Sequence, residues 1–116
     1  MSEEYVGLCQ SKGWVWKRSR SEVADFKDLE VGSSACVLST KASDGFDLKG
    51  LPEGVTCSID GASAVLRTRL SDNRKVNISR FEALKKFVET ISVADKVVLA
   101  SRKSSSQIQV LKCGSK

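Results

Sequence analysis

The chain has no histidine and a single proline, and aromatic residues make up only 6% of its 116 positions. Without an imidazole, a serine or cysteine nucleophile needs some other base, and no GxSxG elbow presents one. The phosphate cradles GxGxxG and GxxxxGK[ST] are missing too. Catalytic residues and cofactors are therefore not expected. The lack of histidine also removes the commonest zinc arrangements, and Cys9, Cys36, Cys57 and Cys113 form no CxxC pair. No metal site is assigned. The stretch DGFDLKG holds Asp44 and Asp47 but lacks the further spaced ligands of a calcium loop.

Long apolar runs are missing as well, so no membrane span is expected. The opening MSEEYVGLCQ carries acidic residues where a secretion signal needs an apolar segment. The resulting expectation is an intracellular protein, cytoplasmic or nuclear, whose cysteines are reduced and mostly buried. The length fits a single globular domain over residues 1–116.

Charge is plentiful, with a net +5, but unevenly spread. Residues 1–30 carry −1, residues 31–66 carry −2, and residues 67–116 carry +8. A positive excess confined to one half is an electrostatic footprint for polyanions.

The fold class is read as α+β, a mostly antiparallel twisted sheet of about six or seven strands. Its clearest part is VTCSIDGASAVLRTRL, residues 55–70. Asp60-Gly61 between two alternating runs predicts a hairpin with those two residues as its loop. Ile59 would then pair with Ala62, Cys57 with Ala64 and Val55 with Leu66. One face is apolar, with Leu70 following at the same parity, and the other carries Arg67 and Arg69. A three-residue loop over Asp72 to Arg74 would add a third strand with Val76 and Ile78 on the apolar face. That register gathers Arg67, Arg69 and Lys75 on the open face of a β-meander, with Arg74 at its tip.

SRFE then reads as a capping box starting a main amphipathic helix at about 80–93. Phe81, Leu84, Phe87, Val88 and Ile91 make its apolar stripe, which should cover the apolar face of the sheet. KVVLAS is expected as a buried strand, SRKSSS as a basic loop and QIQVLKC as a final strand. In the N-terminal half, YVGLC and GWVWK are candidate strands. Ser21 caps a shorter helix at about 22–29, with Val23, Phe26 and Leu29 at intervals of three, and SACVLS is a further strand.

The stretch KGWVWKRSRSE places Trp14 and Trp16 on one side of an extended segment, followed by Lys17, Arg18 and Arg20. Exposed aromatics beside cations can stack bases, whereas a strand of this kind more simply buries both rings in the core. The second reading fits a half-molecule with little other apolar bulk. The functional expectation is non-catalytic nucleic-acid binding of low sequence specificity. Arg67, Arg69, Arg74 and Lys75 are the main contacts, with Lys17, Arg18, Arg20, Trp14 and Trp16 as further candidates. The partner would be single-stranded or structured nucleic acid. The alternative is a protein-interaction module that docks on an acidic protein surface or forms a homodimer through its sheet edges.

Overall fold

The computed structural model describes residues 9–10, 12–69, 71–91 and 93–114. Its strands are β1 (Val15–Arg18), β2 (Ser33–Ser39), β3 (Val55–Asp60), β4 (Ser63–Arg69), β5 (Lys96–Ser104) and β6 (Gln107–Gly114), with helix α1 (Arg74–Glu89) between β4 and β5. Among the described residues the strands form one antiparallel sheet in the order β1-β6-β5-β2-β4-β3. The architecture is the expected α+β. No helix among these residues is long and apolar enough to cross a membrane.

Alternation along the strands creates two apolar faces. Cys36 and Leu38 of β2, Ala64 and Leu66 of β4, Val97 and Leu99 of β5, and Leu111 and Cys113 of β6 point to one side. There they are buried with Leu84 and Val88 of α1. Phe46, from the long connection between β2 and β3, closes the same layer. The other face has a smaller core. Ala35, Val98, Ala100 and Val110 receive Phe26 and Leu29 from the Ser21–Phe26 segment and the turn after it. The two alanines leave the room that lets this short element come close to the sheet. It is a 3-10 helix ending at Phe26, shorter than the helix expected over 22–29.

The hairpin is present, but its register differs by two residues from the expected one. Asp60 pairs with Ser63, Cys57 with Leu66 and Val55 with Thr68, so the loop is Gly61-Ala62. Gly61 has φ +56° while Ala62 does not take a positive φ, the pattern of a turn with glycine at its first central position. An even shift keeps every side chain on its expected face, so Arg67 and Arg69 still lie opposite the main helix.

The third strand does not form. Residues 74–78 are the first turn of α1, and the helix begins five residues before Ser79. Asn73 is the N-cap: its side-chain oxygen accepts from the amides of Lys75 (3.0 Å) and Val76 (3.4 Å). Asn77 folds back on Ser71, with Oδ1 accepting from its amide and Nδ2 donating to its carbonyl, both at 2.7 Å. These bonds satisfy the helix entry, which a short edge strand would have left to solvent. Ile78, expected in the core, is 50% exposed.

Three further expectations change. SRKSSS is largely strand, because β5 runs to Ser104 and only Ser105 and Ser106 make the turn into β6. Cys9 and Cys113 are joined in a disulfide, so the reduced state expected for all four cysteines does not hold for this buried pair. Cys36 and Cys57 are free thiols. Cys9 and Gln10 are helical, not extended; Tyr5–Leu8 of the expected first strand, and Leu70, lie outside the described residues.

Candidate nucleic-acid interface

The arginines expected to carry the site reach the surface next to carboxylates. Arg67 lies 3.7 Å from Asp28, and Arg69 lies 3.5 Å from Glu30. Both acids belong to the segment that follows the 3-10 helix and folds over this part of the sheet, and all four side chains line one shallow groove. A phosphate approaching here would meet paired charge. Lys75 and Arg74 are exposed in the first turn of α1. Their helix packs on the opposite face of the sheet from Arg67 and Arg69. The structure therefore does not assemble the three-residue basic face of a meander.

The two tryptophans part company. Trp14 is half-buried and packs on the main core, with the Lys12 ammonium 5.1 Å from its ring centre. Burial holds the Lys12 amine below the ordinary lysine range, partly offset by Glu89. Trp16 remains 39% exposed on the edge strand β1, where all four residues are exposed. Core packing thus accounts for Trp14 and leaves Trp16 open to a ligand.

The strand order brings together a basic cluster that is dispersed in sequence. Lys17 on β1 pairs with Lys112 on β6, whose neighbour across the next ladder is Val98. Lys96, two residues before Val98 and on the same face, completes a group on adjoining strands. Lys41, just beyond β2, closes the group from the end of the sheet. These four lysines line a cleft of about 420 Å³ floored by Val15, Cys113 and Gly114.

Among the described residues Asp95 is the one acidic side chain lining the cleft, and its carboxylate already accepts the Lys41 amide at 2.6 Å. Lys112 has an ion pair with Glu22 at 3.4 Å. Among the described residues, no ion pair engages the ammonium groups of Lys17, Lys41 or Lys96. Desolvation, and then the adjacent Lys112, hold the Lys96 amine below its ordinary pKa, partly offset by Glu22 and Asp25. Glu22 is held below the usual carboxylate range chiefly by the Ser21 hydroxyl, which donates at 2.7 Å, with Lys112 adding to the effect. Arg18 and Arg20 line a second groove beside Val23 and Ile108, at the same edge of the sheet but beyond the other end of the β1–β6 ladder.

Lys41, Lys96 and Lys112 were not singled out by sequence reasoning. Alternation in QIQVLKC does place Lys112 on the side of Val110, but nothing in the chain says that β6 lies between β1 and β5. Among the described residues no group of three potential metal ligands forms. The cluster can supply positive charge and hydrogen-bond donors to an anion, while the Trp16 indole lies on the other face of β1, on the side of Cys113. Comparison with protein-family models, with curated proteins and with solved structures gives no match for the chain.

Proposed function

We propose that the protein binds nucleic acid without catalysis and with little sequence preference, at the β1-β6-β5 end of its sheet. The observation that carries this reading is the convergence of Lys17, Lys41, Lys96 and Lys112 on one cleft, with Asp95 the one lining carboxylate among the described residues and Glu22 paired only to Lys112. Ammonium groups held together in this way repel one another, and a phosphate backbone relieves that repulsion while releasing counterions. Arg18 and Arg20 add positive charge along the same edge of the sheet, and the exposed indole of Trp16, on the opposite face of β1 from Lys17, offers a stacking face to a strand that wraps around this edge. Arg67 and Arg69 are secondary in this reading, because Asp28 and Glu30 already face them. The location is expected to be intracellular on the sequence reading, although a buried Cys9–Cys113 bridge favours a less reducing compartment.

The test is anisotropy of labelled single- and double-stranded oligonucleotides over a salt series. Removing three phosphate contacts in a Lys17→Ala/Lys96→Ala/Lys112→Ala variant should flatten the log K against log salt slope by about 2–3. An Arg67→Ala/Arg69→Ala variant should change it by less than about 1. An unchanged slope in the lysine variant would place any binding elsewhere. No binding by wild type at low salt would end the nucleic-acid reading and turn attention to an acidic protein surface as the ligand of the same cleft.

A further inference from the structure

The two edges of the sheet are built differently. β1 is four residues long and carries Lys17 and Arg18, charges of the kind that discourage strand addition. At the other edge β3, Val55–Asp60, has no lysine, arginine or proline, and its ladder with β4 runs without a register shift. Its side chains toward the α1 face are Val55, Cys57 and Ile59, and Ile59 is 47% exposed. An unprotected edge with an apolar stripe is a template for pairing.

The hairpin fixes which main-chain groups of β3 look outward. In a two-residue hairpin the pair flanking the loop exchanges both hydrogen bonds, so Asp60 turns inward to Ser63. By alternation Ser58 and Thr56 also turn inward, to Val65 and Arg67. The N–H and C=O of Cys57 and Ile59, and the C=O of Val55, therefore face the open edge. The Val55 N–H agrees with this assignment, since it donates to the Pro52 carbonyl at 3.2 Å and not to β4.

We propose that the occupant of this edge is a second copy of the chain, whose β3 pairs antiparallel about a two-fold axis at Cys57. In this register Cys57 lies opposite Cys57 of the second copy, Val55 opposite Ile59, and Thr56 opposite Ser58. Each outward N–H of Cys57 and Ile59 meets an outward carbonyl, of Cys57 and Val55 respectively, giving four main-chain hydrogen bonds. The apolar stripe continues from one copy into the next, and hydroxyl residues face hydroxyl residues on the other side. The self-complementarity lies in the strand itself: a shift by one residue would set apolar side chains against polar ones. The central five residues are uncharged, so no like charges oppose across the axis. The proposal does not depend on nucleic-acid binding, because β3 is at the far edge of the sheet from the lysine cleft.

Sedimentation equilibrium tests it directly. Wild type should show a reversible monomer–dimer equilibrium in the micromolar range, with a dimer of twice the 12.6 kDa chain mass. Ile59→Lys places a charge opposite Val55 of the second copy and should weaken the dimer by about tenfold or more. The exposed position lets that side chain reach solvent, and an unchanged circular dichroism melt would verify folding. Cys57→Pro removes an outward N–H that no internal bond uses and should also favour the monomer. Mild oxidation should link two chains through Cys57, because hydrogen-bonded pairs have Cα atoms about 5.5 Å apart, within disulfide range. A wild type that stays monomeric throughout overturns the proposal. So does a dimer that neither Ile59→Lys nor Cys57→Pro weakens.

Discussion

Lys96 shows how a single residue can work against the fold while serving a ligand. Its amine sits partly desolvated beside Lys112, and both effects disfavour the charged form in the folded chain. A folded pKa below the unfolded one means that protonation costs stability at neutral pH. That cost disappears as pH rises through the window from the depressed value up to the ordinary lysine range. Lys96→Met should therefore raise the thermal midpoint slightly while weakening oligonucleotide binding. Scanning calorimetry and anisotropy on the same preparation would read the two opposite signs. A fall in both would mark Lys96 as a structural residue and count against the cleft. Its significance was hidden in the sequence, where KVVLAS reads only as the start of a buried strand.

At the scale of elements, α1 and the missing third strand carry the clearest lesson. The stretch RKVNIS fits a strand register and a helical turn about equally, and four residues of alternation decide little. The turn chemistry decided it: Asn73 caps two amides and Asn77 closes on Ser71. Removing the cap in Asn73→Ala should cost about 1 kcal/mol in a denaturant melt, with the slope unchanged. A loss well below that would mean that packing of Leu84 and Val88 alone sets where the helix starts. For the candidate site the consequence is larger than for the core, because Lys75 moves from the sheet into the helical layer.

The whole molecule is closed by the Cys9–Cys113 bridge, which spans 104 residues and anchors the segment before β1 to β6. Among the described residues β1 has only β6 as a strand neighbour, so the bridge also secures the edge that bears Lys17 and Trp16. In the chain-entropy account a loop of this size is worth up to about 4–5 kcal/mol, and removing a native bridge costs roughly 2–5 kcal/mol. Cys9→Ser should lower stability within that range in a urea titration. Thiol counting on unfolded wild type should find the two thiols of Cys36 and Cys57 before reduction, and all four afterwards. Four thiols in untreated protein would show that the bridge does not form in the material measured. In the native chain Cys36 is fully buried and its pKa is pushed up to about 12, so it should stay unreactive.

Local patterning was enough to determine the α+β class, the hairpin over residues 55–69, the faces of Arg67 and Arg69, and the apolar stripe of the main helix. Each of these follows from a period of two or 3.6 acting over a few residues, and an even register error leaves faces intact. Only the tertiary structure decided which strands are neighbours. That order set Lys17, Lys96 and Lys112 around one cleft, placed Asp28 and Glu30 over the arginines, and joined Cys9 to Cys113. Strand order depends on which apolar faces can be buried together across the whole sheet, and contacts between residues a hundred positions apart leave no mark in local periodicity.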